Sequence, residues 1–114
     1  MFVYGRKVYC CNVGDSRTVI IRKADTEDKC KADALSKDHK PDDPKEAAHI
    51  IANRGRIDCF RDVFGHQVGP LRVWLKGEDI PGLAMTRSFG DSVAARVGVN
   101  AIPDIKEFTL QPDD

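Results

Sequence analysis

The sequence predicts an α+β domain, and three observations carry that prediction. The first part of the chain is rich in strand-forming residues, a central stretch carries the start and stop signals of a helix, and the stretch near Ile105 again has the pattern of a strand. The chain has 114 residues, which is the usual size of one domain and enough to bury a core. We therefore expect one domain.

The opening of the chain predicts strands. The segments "MFVYGRKVYCCNV" and "RTVIIRK" are rich in β-branched and aromatic residues, and the Gly-Asp-Ser turn between them predicts that they form one β-hairpin. The polar tract "KADTEDKCK" predicts an exposed turn, and a third short strand is expected at Ala32 to Ser36.

A helix is expected from Pro44 to Arg54. Asp43 suits the N-cap, Pro44 suits the first helical position, and Glu46 lies three residues after the cap, as in a capping box. Apolar residues then follow at helical spacing, including Ile50 and Ile51. Gly55 suits the left-handed position after the helix.

The pattern from Asp58 to Pro81 has no clear period. Glycine and proline residues divide it into short pieces around "LRVWL", which predicts a long loop of the kind that often forms a lid or binding segment. Beyond it, a short helix is expected near Ser92 to Val97. The stretch "IKEFTL", Ile105 to Leu110, predicts a half-buried strand.

The balance of charge gives no sign of a nucleic-acid or membrane partner. Basic and acidic side chains number 18 each, so the formal charge is zero. No apolar run reaches the roughly 20 residues needed to cross a bilayer, and a secretory signal is not seen. We therefore expect an intracellular protein, cytoplasmic or nuclear.

The four cysteines, Cys10, Cys11, Cys30 and Cys59, show no CxxC spacing. This disfavours a zinc site, and an intracellular chain normally keeps its thiols reduced. Cys10 and Cys11 are adjacent, so a strand would point them to opposite faces. We expect four structural thiols.

Asp15 lies in "NVGDSR", where an apolar run ends in a carboxylate, a hydroxyl and a guanidinium. Two roles are open on spacing alone. Asp15 could cap backbone N–H groups in a turn while Arg17 makes a surface contact. Alternatively, Asp15 could be a hard oxygen ligand for Mg²⁺ or Mn²⁺, which favour carboxylates and water.

His39, in "SKDHKPDD", also has two interpretations. Its acidic neighbours allow a metal site, but capping already accounts for Asp43, and Pro41 turns the chain. A histidine that holds the loop by hydrogen bonds is the favoured role. His49 and His66 are expected to be surface or core residues.

The stretches "MTRSFGD" and "RVWLKGEDIPG" hold the remaining candidates. Asp91 is expected to cap a helix or to pair with Arg87. Trp74 is the only tryptophan, and it could be buried beneath the predicted loop or exposed to a partner.

The order of these stretches is more specific than any one of them. "NVGDSRTVI", "LSKDHKPDDPKEAAHIIANRGRI", "RVWLKGEDIPGLAMTRSFGDSVAARVGV" and "IPDIKEF" resemble, in this order and spacing, the middle of the metal-dependent protein phosphatases of type 2C. The resemblance covers nearly the whole chain. It implies part of a four-layer α-β-β-α sandwich, with two antiparallel sheets and flanking helices. It also implies hydrolysis of phosphoserine and phosphothreonine in phosphoproteins by a water bound to Mg²⁺ or Mn²⁺.

The resemblance assigns roles residue by residue. Asp15 would lie at the metal cluster and could ligate a third, weaker metal. Arg17, His39, Arg87 and Asp91 would lock the loops around the site. The segment at about 57–82 would be the family's flap, a variable region that helps to select substrates, and it would place Trp74 near a substrate or regulator surface.

The chain departs from the family in its metal ligands. It lacks the Asp-Gly-His-Gly-Gly motif with its bridging Asp, an upstream phosphate-binding Arg, and the later Ser-Asp-Gly and Asp-Asn motifs. Asp113 and Asp114 match none of these. One carboxylate holds Mg²⁺ weakly, so we expect an internal piece of a phosphatase that is inactive alone. Its interrupted sheets would expose edges, which predicts self-association, at least to a dimer.

Two other classes of function remain open. The chain could be a non-catalytic module that keeps the phosphatase scaffold to bind phosphoproteins or to compete for a phosphatase's partners. It could also be an unrelated α+β domain, if the order of the motifs is coincidence.

Overall fold

The structure is a computed structural model that describes residues 1–24, 29–112 and 114. In chain order its elements are β1 (Phe2–Tyr4), β2 (Lys7–Asn12), β3 (Val19–Lys23), β4 (Cys30–Ala34), α1 (Pro44–Ala52), β5 (Gly55–Arg61), β6 (Gln67–Leu75), β7 (Pro81–Leu83), α2 (Ser92–Ala95) and β8 (Asp104–Thr109). All strand pairs between these elements are antiparallel, so the predicted α+β class is confirmed.

The chain divides into two compact units. The first comprises Met1–Asn12, Ser16–Asp38 and Pro103–Asp114, and the second comprises Val13–Asp15 and His39–Ile102. None of the helices within the described ranges is long and apolar enough to cross a membrane.

The first unit holds a three-stranded sheet in the order β1-β2-β8 and a two-stranded sheet of β3 and β4. The prediction that the opening and "RTVIIRK" form one hairpin is therefore wrong. Gly5, at φ 58°, turns the chain early, so that β1 pairs with β2, and β3 pairs with β4 instead. The predicted third strand lies two residues earlier than expected, at Cys30–Ala34.

Two predictions in this unit fall partly outside the described residues. They are the centre of the expected turn, at residues 25–28, and Asp113. The strand expected at Ile105 to Leu110 is confirmed as β8. It is mostly exposed rather than half-buried, however, and the exposed fraction of Ile105 is 67%.

The second unit has a core formed by α1, the meander β5-β6-β7, and α2. Its buried residues are Ile50, Val73, Leu75, Ala94, Val97 and Val99. The predicted helix α1 is confirmed, although it ends at Ala52, and the side chain of Asp43 accepts a hydrogen bond from the Lys45 N–H at 2.9 Å. Ile50 is fully buried, whereas Ile51 is 61% exposed and does not contribute to the core.

The end of α1 differs from the prediction. Arg54 takes the left-handed conformation, at φ 65°, and Gly55 begins β5. Gly55 is needed for space rather than for its dihedral angles. A Cβ at this position would lie 2.5 Å from Cγ2 of Ile50, which is too close for two carbon atoms.

The long loop predicted from Asp58 to Pro81 is wrong, because this region is the regular meander β5-β6-β7. The pairs Asp58↔Arg72 and Phe60↔Val68 leave three residues of β6 opposite Cys59 alone. This bulge contains Gly69, at φ 76°, and it interrupts the alternation of side chains along β6. The absence of a clear sequence period in this region is therefore explained by the bulge in strand β6. The short helix expected near Ser92 is confirmed as α2.

All four cysteines are free thiols. Cys10 is buried and Cys11 is exposed, as expected for neighbours on a strand. Cys59 is also buried, and Cys30 is exposed.

Candidate functional site

The segment Val13–Asp15 is fixed to His39 in the second unit. The Gly14 N–H donates to Nδ1 of His39 at 3.1 Å, and the His39 N–H donates to the Gly14 carbonyl at 2.9 Å. Since Nδ1 accepts a hydrogen bond, it carries a lone pair, and a neutral His39 would hold its proton on Nε2. His39 is 2% exposed, so this contact is shielded from water.

Asp15 directly follows this anchored glycine and is exposed. Gly14 is buried at φ 103°, and a Cβ there would lie 3.4 Å from the Met85 sulfur. A side chain at position 14 would therefore be strained. The local fold presents the Asp15 carboxylate from a fixed backbone, which is compatible with metal binding. Its role as a ligand stays a prediction.

A second chain of hydrogen bonds connects His39 to helix α1. The Thr86 N–H donates to the His39 carbonyl at 3.0 Å, and the Thr86 hydroxyl donates to Oε2 of Glu46 at 2.7 Å. Thr86 is 1% exposed and Glu46 is 9% exposed. Thr86 is thus joined to His39 and to Glu46, which lie at least 40 residues earlier in the chain, through buried polar groups that are costly to leave unpaired.

Glu46 also forms an ion pair with Arg87. Nη2 of Arg87 donates to Oε1 at 2.6 Å, and Nε lies 3.3 Å from Oε2, so the guanidinium bridges both carboxylate oxygens. Burial by itself raises the pKa of Glu46, but the hydrogen bonds from Arg87 and Thr86 and the charge of Arg87 outweigh it. The net pKa is therefore lowered from its ordinary value of 4.5.

The capping box predicted for Glu46 is wrong. The Asp43 N–H, which the capping box would pair with Glu46, donates to the Lys40 carbonyl at 3.0 Å, while the Glu46 carboxylate faces Thr86 and Arg87. Sequence analysis missed both Glu46 and Thr86 as site residues. The one available signal was a carboxylate on the same helical face as Ile50, which is four residues away.

Arg87 and Asp91 occupy different networks, so the expected pairing between them is wrong. Nη1 of Arg87 donates to the Ile102 carbonyl at 3.0 Å, and its carboxylate partner is Glu46. Asp91 stands at the N-cap position of α2, but its side chain makes no capping hydrogen bond and instead accepts from the Ser88 hydroxyl. The Asp91 carboxylate therefore contacts a residue three positions earlier, in the turn before α2.

Arg17 belongs to the first unit and makes a two-pronged contact with Asp38. Nε donates to Oδ1 and Nη2 donates to Oδ2, both at 2.9 Å. The Asp38 carboxylate raises the pKa of Arg17 from its ordinary value. Arg17 follows the Gly-Asp-Ser turn and Asp38 follows β4. The ion pair therefore fixes these two loops of the first unit to each other.

Trp74 is 5% exposed, which decides between its two roles in favour of burial. Nε1 donates to the Asp58 carbonyl at 3.0 Å, and the indole meets Phe60 edge-on with ring centroids 5.2 Å apart. A Cβ on Gly82 would come within 2.8 Å of the indole. Trp74 thus stabilises the meander from inside, and exposed neighbours must make any contact with a substrate.

The described donors do not by themselves fit a binuclear metal centre. Within residues 1–24, 29–112 and 114, no three side chains of His, Cys, Asp or Glu form a group that could hold a metal ion. Mg²⁺ in proteins takes several oxygen ligands in a near-octahedral arrangement. Among the described residues, Asp15 is therefore a single candidate ligand rather than part of a cluster.

The second unit thus contains buried Glu46, Thr86 and His39 in one network with the partly buried Arg87. All of residues 1–114 match the family model described as Protein phosphatase 2C. The chain is 44% identical over 101 residues to "Probable protein phosphatase 2C 12" of rice, Oryza sativa subsp. japonica, covering 89% of this chain and 25% of that protein. It is 36% identical over 110 residues to "Probable protein phosphatase 2C 73" of Arabidopsis thaliana, covering 96% of this chain and 28% of that protein.

Solved structures share the fold. The serine-threonine phosphatase 2C of Toxoplasma gondii matches with a TM-score of 0.77 and 23% identity, over 96% of this chain and 35% of that one. A phosphatase from a pathogenic strain of Toxoplasma gondii matches with a TM-score of 0.65 and 32% identity, over 95% and 29%.

The chain belongs to the protein phosphatase 2C family. It spans about a quarter of the length of the two plant relatives.

Proposed function

We propose that this chain is a segment of a metal-dependent serine/threonine phosphoprotein phosphatase, and that it is inactive alone. The observation that carries the proposal is the match of the entire chain to one phosphatase family. The proposed cofactor is Mg²⁺ or Mn²⁺, and the proposed substrates are phosphoserine and phosphothreonine in proteins. Asp15 is the proposed ligand, with its backbone fixed through Gly14 and His39.

The proposed inactivity follows from the donor set. Asp15 is one carboxylate, and the described residues hold no group of three donors. Two hard cations need several oxygen ligands between them. In this proposal, the remaining ligands come from segments of a longer protein, and this chain supplies the scaffold and Asp15.

The experiment uses a chimera with the rice relative. The matched part of this chain replaces the corresponding 101 residues of that protein, and Mn²⁺-dependent hydrolysis of a phosphothreonine peptide is measured beside the rice protein and this chain alone. We expect activity in the chimera and none above blank in the isolated chain. Asp15→Asn should lower the activity of the chimera by about tenfold or more, as expected for a group that tunes metal affinity.

Glu107→Gln is the matched control, because Glu107 is an exposed carboxylate on β8, outside the proposed flap. It should leave the activity of the chimera unchanged. An isolated chain that hydrolyses the peptide with Mn²⁺ would contradict the proposed inactivity. A chimera that is folded but inactive, beside an active rice protein, would contradict the proposed role of the segment.

A second proposal, the non-catalytic binding module, is supported by the tip of the β5-β6 hairpin. Asp62 accepts hydrogen bonds from the Phe64 N–H at 2.9 Å and from the His66 N–H at 2.8 Å, which fixes the loop. Val63 is 94% exposed and Phe64 is 81% exposed on it. This tip lies in the proposed flap and replaces Trp74 as its candidate contact.

The binding proposal has its own test. A phosphothreonine peptide should bind the isolated chain without being hydrolysed, and Phe64→Ala should weaken that binding. Lys45→Ala, at an exposed position on α1 outside the proposed flap, serves as the control. Binding that Phe64→Ala leaves unchanged would rule out this surface.

A further inference from the structure

Strand β4 has a free edge with a defined set of hydrogen-bonding groups. Among the described strands, β4 pairs with β3 alone. The Leu35 N–H donates to the Thr18 carbonyl and the Ala24 N–H donates to the Lys29 carbonyl, which sets the alternation of the ladder. Lys31 and Asp33 therefore direct their backbone groups toward β3. Cys30, Ala32 and Ala34 direct theirs outward.

One of these outward groups already has a partner. Nζ of Lys106, in the same unit, donates to the Ala34 carbonyl at 3.4 Å, and this contact must be exchanged for a backbone hydrogen bond when another strand pairs there. The outward residues are small, and Cys30 and Ala34 are exposed, so a neighbouring strand can approach them. An exposed edge of this kind is a template for pairing with another strand.

The charges on β4 select one register for a second copy of this chain. In an antiparallel pair with two-fold symmetry centred on Ala32, the outward groups of Cys30, Ala32 and Ala34 meet those of Ala34, Ala32 and Cys30 of the other copy. Lys31 then lies directly opposite Asp33 in both halves of the pair. Shifting the centre by one residue would instead place Lys31 opposite Lys31, or Asp33 opposite Asp33, which is unfavourable.

Strand β3, the partner of β4, places exposed apolar side chains beside this edge. On β3, Val19 and Ile21 are 50% and 64% exposed, and they share a face with Ala32 and Ala34 through the pairs Val19↔Ala34 and Ile21↔Ala32. A sheet edge beside exposed apolar residues favours association over solvation.

We infer that two copies of this chain associate through antiparallel pairing of their β4 strands, centred on Ala32, to form a four-stranded sheet β3-β4-β4-β3. The partner at this edge is a second copy of the chain, because Lys31 faces Asp33 of the other copy and the outward backbone N–H and C=O groups of the two β4 strands pair with each other. The inference is independent of the proposed phosphatase activity.

A disulfide tests the register. Ala34→Cys places a new thiol opposite the native Cys30 of the other copy, where Cα atoms in a hydrogen-bonded antiparallel pair lie about 5.5 Å apart, within disulfide range. Within one chain the two positions are four residues apart, about 13 Å, and cannot bridge. With oxidised glutathione as oxidant, Ala34→Cys should form a covalent dimer. The control, in which Ala34→Cys is combined with Cys30→Ser, should not.

Charge reversal tests the partner. Lys31→Asp alone places two carboxylates opposite each other across the pair, and Asp33→Lys alone places two ammonium groups opposite each other. Sedimentation velocity should therefore show each variant dimerising about tenfold more weakly. A heterodimer of the two variants has opposite charges in both of these contacts, so a mixture should form the heterodimer more readily than either variant dimerises alone. Lys76→Asp, an exposed lysine in the second unit, should leave dimerisation unchanged.

Either of two results would overturn the inference. The first is an unchanged chain that sediments as a monomer at every soluble concentration. The second is a dimer that withstands both charge reversals and yields no disulfide between positions 30 and 34, because such a dimer would use another surface.

Discussion

His39 fixes Gly14 with two hydrogen bonds, one to its imidazole and one from its backbone N–H. Two hydrogen bonds, at 3.1 and 2.9 Å, hold the glycine that precedes Asp15. The Thr86 N–H then donates to the carbonyl of the same histidine. A single buried residue therefore sets the position of the candidate ligand and connects it to the Glu46 network.

The first prediction concerns this histidine. His39→Ala should lower the free energy of unfolding by about 2 to 3 kcal/mol, since it removes the acceptor on Nδ1 and opens a cavity. Denaturant unfolding measures this effect. His49→Ala is the control. His49 is exposed on α1, and the change should cost less than about 1 kcal/mol. Equal effects at the two positions would contradict the proposed anchoring.

The second prediction concerns the pH dependence that Glu46 creates. Its pKa is lowered in the folded state, so below the ordinary value of 4.5 the unfolded chain binds the proton more readily. The stabilisation is therefore present above that pH and is lost as pH falls through the folded-state pKa. Glu46→Gln should be less stable at neutral pH and should lose less stability on acidification.

Thermal unfolding between pH 7 and pH 3 measures this difference. Glu78→Gln, which removes an exposed carboxylate, should follow the unchanged protein across the range. If Glu46→Gln and the unchanged protein lost stability in parallel on acidification, the ion pair with Arg87 would not be the source of the dependence.

At the scale of elements, close packing decides where helix α1 can meet strand β5. Gly55 opens the strand immediately after the helix, and the space that its side chain would fill is occupied by Ile50. The left-handed turn falls on Arg54 instead. The connection is thus set by the core residue Ile50.

The third prediction follows from this contact. Gly55→Ala should lower the free energy of unfolding by about 1 to 3 kcal/mol, because the new methyl group would lie 2.5 Å from Cγ2 of Ile50 and must displace it. Gly77→Ala is the matched control, since a Cβ there would meet nothing within 4 Å. The control should change stability by less than about 0.5 kcal/mol. A neutral Gly55→Ala would show that Ile50 moves without cost.

At the scale of the whole molecule, the chain belongs to the protein phosphatase 2C family and matches about a quarter of the length of the two plant relatives. Its ion pairs include Glu46 with Arg87 and Arg17 with Asp38. The donors needed for a metal centre do not gather among the residues that the structure describes.

The fourth prediction belongs to this scale. Millimolar Mn²⁺ should raise the Tm of the isolated chain by less than about 2 °C, because a ligand that binds the folded state weakly stabilises it little. Asp15→Asn should remove whatever small shift is seen. A large shift that disappears in Asp15→Asn would mean that the isolated chain assembles a real metal site, contrary to the proposal.

The sequence was most informative where structure depends on neighbouring residues. Asp43 caps α1 as predicted, because the cap is a contact between a side chain and a backbone group two residues away. The same local reasoning assigned Glu46 to the cap and was wrong there. Its partners Thr86 and Arg87 lie 40 and 41 residues further along the chain.

The meander β5-β6-β7 shows a different limit. Its alternation is interrupted by the bulge opposite Cys59, so period and turn residues together predicted a loop. The pairing of β5 with β6 keeps the segment in a strand, and Gly69 and Pro70 lie in the bulge between the paired residues of β6. The burial of Trp74 followed from that pairing and could not be inferred from its neighbours in sequence.

The sequence by itself determined the α+β class, helix α1 and the family, because caps, periods and the order of motifs are contained in short stretches of residues. Only the tertiary structure decided the partner of Glu46, the contacts of His39 with Gly14 and Thr86, and the free edge of β4 among the described strands. Each of these depends on which distant segments meet. Burial makes these contacts specific, because a polar group that is removed from water is costly unless it forms a hydrogen bond with a matching group.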